Sequence, residues 1–216
     1  KFRDHNRLSF NSSRRLIMKI QNGAGNGYMA KVNARNQLYT FSETETESAA
    51  ATELGNAYNI NTGLISLTGS GDSAILYVKN EEVSDMYIEN IAFGIDSAAT
   101  VSTTPVITII RNPTAGDITT DASAVAMNQN RNFGSSKTLS TSTLAYKGKQ
   151  GGTMTGGNDI IIFMQGTGGR LFANIGLQLP KGNSIGVKID SNISSDTMLV
   201  YCALVLYIKD PAVSLS

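Results

Sequence analysis

The chain has 216 residues with one cysteine and one histidine, which excludes an intrachain disulfide and any metal site built from several histidines. Charged residues make up 16% of the chain, below the share that is usual for soluble domains, and 21 glycines accompany only 4 prolines. This composition is typical of strands joined by polar turns. There is no apolar run of the length that spans a membrane, so we expect a soluble protein with no membrane partner and no export signal.

The basic residues are concentrated near the start of the chain. Residues 1–35 hold eight basic residues and one acidic residue, a net charge of +7, whereas the remainder holds ten basic and sixteen acidic residues, a net charge of −6. Residues 1–27 are therefore predicted to form a basic anchoring arm. Its docking residues would be the mixed basic and apolar group Arg14, Arg15, Leu16, Ile17, Met18 and Lys19.

The apolar part of this group favours docking on protein over a solvated, partly ordered terminus, which is the alternative. Nucleic acid is not expected as a partner, because no aromatic side chain alternates with the paired arginines as a stacking platform requires.

After the arm, short apolar segments alternate with turn residues as far as residue 95. A helical turn ended by Gly55 is predicted within 48–54. In the segment 86–95, Tyr87, Ile91, Phe93 and Ile95 are predicted to share one face. A turn at 68–72 is expected between two of these strands. The predicted strands are 28–32, 37–42, 57–60, 63–68, 73–79 and 86–95.

The second half of the chain continues the pattern after one long interruption. Residues 112–134 are predicted to be a loop with at most a short strand at 122–127, and loops of this length tend to be functional. Further strands are predicted at 105–111, 143–146, 159–165, 174–179 and 184–189. About ten short strands without a long helix indicate one all-β domain over 28–216, an antiparallel sandwich or barrel.

The last predicted strand runs from Met198 to Ile208 without a charged residue, and both of its faces are apolar. One face, with Val200, Cys202, Leu204 and Leu206, is predicted to line the core, and Cys202 is expected to be a small buried hydrophobe. The other face carries Tyr201 and Tyr207. Because tyrosine is enriched at interfaces, this face is predicted to meet a sister subunit. The alternative is a sheet covered on both faces by its own chain.

No catalytic, cofactor-binding or metal-binding residues are predicted. Gly182-Asn-Ser-Ile-Gly186 has the spacing of a serine hydrolase motif, but the only histidine is His5, far upstream, and a strand is predicted after Ser184 where the motif requires a helix. Asp117 and Asp121 form a weak calcium candidate in the long loop.

Several stretches resemble structural proteins of tailed bacteriophage particles. They are Met29–Tyr39, Thr68–Asn80, Asn112–Gly116, Asn132–Thr138 and Leu179–Ile185, together with the long final strand. The resemblance covers about residues 28–210 and is one of overall pattern. It implies a jelly-roll sandwich of about 8–10 strands, assembled in threes or fives with a trimer favoured. It also implies a virion protein assembled in the host cytoplasm, either an auxiliary capsid (decoration or cement) protein or a head-fibre subunit.

We therefore expect a non-enzymatic virion protein whose partners are copies of itself and other virion proteins, such as the major capsid protein. The alternative is a host-receptor or glycan-binding module of a tail or fibre, which would use the loop 112–134. Sugar recognition calls for aromatic platforms; the chain has no tryptophan, and Phe133 is the only aromatic residue in that loop.

Overall fold

The computed structural model of the chain describes residues 46–96, 99–119 and 127–209. The predicted arm 1–27 and the predicted strands 28–32 and 37–42 lie outside these residues. The described part holds one short helix, α1 (Glu47–Glu53), and one 3-10 helix (Asp117–Thr119). Its strands are β1 (Ala57–Asn61), β2 (Ile65–Leu67), β3 (Asp72–Lys79), β4 (Met86–Ile95), β5 (Thr100–Val101), β6 (Val106–Arg111), β7 (Met127–Asn130), β8 (Leu144–Lys147), β9 (Asn158–Met164), β10 (Arg170–Leu179), β11 (Ser184–Asp190), β12 (Ile193–Ser195) and β13 (Met198–Ile208).

These strands form an antiparallel β-sandwich, which confirms the predicted fold class. The first sheet has the order β10-β4-β13-β1-β7, and β2 pairs with the beginning of β13. The second sheet has the order β8-β3-β11-β6-β9, and β5 pairs with β12 in a small ribbon. The apolar side chains that face inward from the two large sheets form one continuous core. The pairs β1–β13, β3–β11, β4–β10 and β6–β9 are nested along the chain.

The strand β13 lies in the middle of the first sheet and shows the predicted alternation. Its core-facing side chains are Met198, Val200, Cys202, Leu204 and Leu206, none of which is exposed to solvent. On its outer face, Leu199, Tyr201, Ala203 and Val205 are half-buried. Because the strand has β4 on one side and β1 and β2 on the other, its backbone is paired along both edges. Burial raises the pKa of the Cys202 thiol, in keeping with a core residue.

Of two predictions about these strands, the turn is confirmed and the shared face in β4 was wrong. The predicted turn at 68–72 lies between β2 and β3, and the chain crosses there from one sheet to the other, because β2 pairs with β13 and β3 pairs with β11 and β8. Crossing between the sheets lets Ile65 and Leu67 face the core. In β4, Tyr87 does not share a face with Ile91. The pairing with β13 shifts at Glu89, so the core face carries Met86 and Ile88 before this bulge and Ile91 and Phe93 after it.

The helical turn predicted within 48–54 is present as α1. Thr46 caps its first turn by accepting a hydrogen bond from the backbone N–H of Ala49, and Gly55 follows its end with a φ of 70°. The loop 112–134 contains the 3-10 helix and the edge strand β7, which begins at residue 127, where the predicted strand ends. Residues 120–126 lie outside the described part of the chain.

Candidate assembly surfaces

The helix α1 covers the Tyr207 end of the outer face of β13. The Tyr207 ring stacks on Tyr87 with ring centroids 5.2 Å apart, and its hydroxyl donates to Glu47 Oε2 over 3.2 Å. Ala51 of α1 packs in the same small cluster. Tyr207 is only 9% exposed as a result. The chain's own helix therefore occupies the place where the sequence predicted a sister subunit.

Charge reinforces this helix contact. Lys209 Nζ donates to Glu47 Oε1 over 2.9 Å. The hydrogen bonds from Lys209 and Tyr207 lower the pKa of Glu47, and the bond to Glu47 raises the pKa of Lys209. Burial, together with the bond to Glu47, raises the pKa of Tyr207 to about 12. Together these groups hold α1 against the first sheet, which indicates a structural role for Tyr207.

Tyr201 occupies the other end of the same face and has no helix over it in the described structure. Its ring lies directly on Gly94 of β4, where any side chain would collide with it. A cavity of about 410 Å³ opens beside the ring and is also lined by Leu64 and Arg170. Tyr201 is half-buried. It therefore remains an accessible candidate for partner binding, in contrast to Tyr207.

The most exposed apolar strand of the sandwich is β9, at the edge of the second sheet. In the described structure β9 pairs only with β6. Ile162 and Met164 point away from the core and are 60% and 72% exposed. The single charged residue of the strand is Asp159, and it contains neither the lysine nor the proline with which proteins often protect an edge. This strand has the composition of a covered strand, yet no element of the described part of the chain covers its outer face.

The strand β10 forms the corresponding edge of the first sheet, and a five-residue turn connects it to β9. Phe172, in its outer row, is 69% exposed. We call β9 and β10 together the open side of the sandwich. The opposite edges of the two sheets are the four-residue strands β7 and β8. The open side therefore has longer and more apolar edge strands than the side formed by β7 and β8.

A cavity of about 500 Å³ lies between β9 and β10. Its apolar lining includes Ile88 and Ile185, both buried, and Leu177 of β10. Arg111 and Ile160 lie at its exposed rim. No ion pair among the described residues involves Arg111. The cavity thus combines an apolar interior with an unpaired cation, and its volume is typical of a binding pocket.

At the opposite edge, as the third residue after β7, Phe133 is 97% exposed. The turn that carries it is firmly held. The Asn132 side chain accepts from the Gly134 N–H over 3.0 Å and donates to the Glu53 carbonyl over 3.0 Å. The Asn130 side chain accepts from the Asn132 N–H over 2.8 Å. A large apolar ring is therefore displayed on an ordered turn.

The motifs that the sequence analysis discounted have structural roles. Ser184 begins β11, so a strand follows it as predicted, and no helix is present there. Asp117 accepts hydrogen bonds from the backbone and side chain of Thr153, which lower the pKa of its carboxyl group. Asp121 lies outside the described residues. Within the described ranges, no group of three potential metal-ligating side chains is found, and no helix is long and apolar enough to span a membrane.

The predicted docking residues 14–19 also lie outside the described part of the chain, so their prediction stands as made. The open side and its cavity were missed by the sequence analysis. A signal existed, because the segment 160–164 is apolar on both faces, as β13 is. Its edge position follows only from the strand order. No protein-family model matches the chain, and no curated protein shows significant similarity to it.

Proposed function

We propose that the chain is a non-enzymatic structural subunit of a virion, which assembles with copies of itself through its sandwich and attaches to the particle by its basic arm, residues 1–27. The observation that carries this proposal is the open side. It combines an apolar edge strand, paired only with β6 in the described structure, with Ile162 and Met164 exposed beside a cavity lined by core side chains. Contiguous exposed apolar surface of this kind marks interaction sites.

We further infer that the sandwich is a jelly roll. The four nested antiparallel pairs β1–β13, β3–β11, β4–β10 and β6–β9 describe one long hairpin folded over on itself. The result is four strands facing four, with β7 and β8 added at the edges. Jelly rolls of eight strands are common in viral capsid domains, which supports the proposed role by analogy of fold alone.

The proposal is tested on particles. Particles from a culture that expresses the chain would be treated with nuclease and protease, purified on a density gradient and analysed by quantitative proteomics. We expect peptides of the chain to co-migrate with the major capsid protein at a fixed ratio across the gradient fractions. Peptides found only in the particle-free fractions would contradict the virion assignment.

The arm is tested separately by deleting residues 1–27. This segment holds six of the chain's basic residues and one acidic residue. We expect the truncated chain to keep the same number of copies in its oligomer but to be lost from purified particles, since its attachment would depend on the deleted charges and on the apolar residues 16–18. Normal incorporation of the truncated chain would show that the arm is not the anchor.

A second candidate function has one specific observation in its favour. Phe133 is displayed on an ordered turn, and exposed aromatic rings serve as platforms for sugar rings in glycan-binding modules. A host-glycan-binding module would then use this turn. Glycan-array binding by the full chain that is lost in Phe133→Ala would support this function, and an array without signal would exclude the glycans tested.

A further inference from the structure

Phe133 has the properties of an anchor residue for a protein partner. Exposing a large apolar ring to water is unfavourable, and Phe133 is almost fully exposed. The turn that carries it is fixed by at least three hydrogen bonds, which reduces the conformational entropy lost on binding. The polar atoms of the neighbouring Asn132 side chain are engaged, Oδ1 by the Gly134 N–H within the turn and Nδ2 by the Glu53 carbonyl of α1. They are therefore not free to contact a sugar, and an apolar pocket fits the ring better.

The chain itself provides such a pocket in the cavity of the open side. A dry cavity of about 150 Å³ already holds one benzene ring, and this cavity of about 500 Å³ is lined at its base by Ile88, Leu177 and Ile185. Arg111, which forms no ion pair with any residue that the structure describes, brings its guanidinium to the entrance. Among the cationic side chains, arginine contacts aromatic faces more often than lysine does, and it would contact an inserted ring there.

The two features lie at opposite edges of the sandwich. Phe133 is the third residue after β7, the last strand at one edge of the first sheet, whereas the cavity is bounded by β10 at the other edge. One chain therefore cannot fill its own cavity with its own Phe133. A protruding side chain (the knob, Phe133) and a cavity that can receive it (the hole, between β9 and β10) on opposite edges allow copies to join head to tail. Such a contact closes into a ring when the rotation between copies is suitable.

We propose that Phe133 of one copy inserts into the cavity between β9 and β10 of the next copy, so that the subunits join head to tail. This inference rests on the self-assembly part of the proposed function and is independent of the virion assignment. Ile162 and Met164, beside the cavity, would be covered by the same neighbour. Aromatic anchors in desolvated pockets are the typical energetic centres of such interfaces.

The test removes the knob in one variant and blocks the hole in another. Phe133→Ser removes the ring, and Ile160→Trp places a bulky side chain at the exposed rim of the cavity. Val83→Ser is the matched control, because Val83 is 92% exposed and belongs neither to the turn of Phe133 nor to the residues that line the cavity. Each full-length variant is measured by native mass spectrometry and by thermal unfolding.

We expect the wild type and Val83→Ser to form the same oligomer, and Phe133→Ser and Ile160→Trp each to be monomeric while folded. The loss for Phe133→Ser corresponds to at least roughly 30-fold weaker association, as for other interface anchors. Mixing Phe133→Ser with isotope-labelled Ile160→Trp should give a one-to-one dimer, because Ile160→Trp still has Phe133 and Phe133→Ser still has an open cavity. The dimer should grow no further, because its remaining ends lack the ring or have a blocked cavity.

Three results would overturn the proposal. They are a monomeric wild type, an unchanged oligomer for Phe133→Ser, or a mixture of the two folded variants that forms no dimer. An unchanged oligomer accompanied by loss of glycan binding in Phe133→Ser would assign the residue to glycan recognition. Particle proteomics is unaffected by these outcomes, so a failure of the head-to-tail contact is distinguishable from a failure of the virion assignment.

Discussion

At the scale of single residues, neighbours decide what an aromatic side chain does. Tyr207 and Phe133 are both large rings near α1, yet one is covered by the helix and bonded to Glu47, and the other is almost fully exposed. The sequence predicted an outward orientation for Tyr207 correctly from the alternation of β13. It could not predict the cover, because the contact between α1 and β13 joins residues 160 positions apart.

The contact between Glu47, Tyr207 and Lys209 predicts a dependence of stability on pH. The folded state lowers the pKa of Glu47, so this contribution is present above the ordinary carboxyl pKa and is lost as the pH falls through the folded value. It raises the pKa of Tyr207 from 10 to about 12 and also raises that of Lys209, so stability is lost as the pH rises over that range.

This dependence is measured by urea unfolding of the wild type and Glu47→Gln at neutral, acidic and strongly alkaline pH. We expect the stability difference between the two proteins to be largest near neutrality and to shrink at both extremes. The control Glu53→Gln changes a carboxylate on the same helix without removing the contact to Tyr207. A difference for Glu47→Gln that is constant across the pH range would contradict this account.

Gly148 is a second residue whose neighbours restrict it. A Cβ at this position would run into the backbone carbonyl of Ala74 on β3, and a backbone atom cannot rotate away as a side chain can. Gly148→Ala should therefore destabilise the fold by about 1–3 kcal/mol. Gly166→Ala, where a Cβ meets nothing within 4 Å, should change stability by less than about 0.5 kcal/mol. Equal melting temperatures for the two variants would refute the prediction.

At the scale of elements, strand existence could be predicted from the sequence, and strand partners could not. Period-2 alternation located β3, β4, β11 and β13 within one or two residues of their observed bounds. The bulge at Glu89 could not be predicted from the sequence, because it depends on how β4 pairs with β13. It places Tyr87 on the face opposite to the predicted one. The edge position of β9 was invisible for the same reason, since an edge is defined by the order of strands in the sheet.

The alternation of β13 makes a direct prediction about stability. Leu204 is fully buried between the sheets, so Leu204→Ala should cost about 2–5 kcal/mol through lost burial and the cavity left behind. The adjacent Val205 is half-buried on the outer face, and Val205→Ala should cost about 1 kcal/mol. Chemical denaturation of both variants measures the contrast. Similar losses would mean that the outer face is packed as tightly as the core.

At the scale of the whole molecule, the sandwich has two unlike sides. One carries the short edge strands β7 and β8, with Phe133 just beyond β7, and the other carries the long apolar strands β9 and β10 with the cavity between them. Composition could predict that some apolar surface would remain for partners, because β13 and β9 are apolar on both faces. Only the fold shows which of the two strands is left exposed, since β13 is central and partly covered by α1, whereas β9 lies at an edge.

Self-assembly through the open side is the central claim, and native mass spectrometry of the full chain tests it most directly. At about 10 μM, where a micromolar interface is populated, we expect one closed species containing a whole number of 23.0 kDa chains, with three favoured. Ile162→Lys, which places a charge on the exposed face of β9, should reduce this species to monomers, and the control Val83→Lys should not. A wild type that remains a 23.0 kDa monomer, or an oligomer unaffected by Ile162→Lys, would contradict the account.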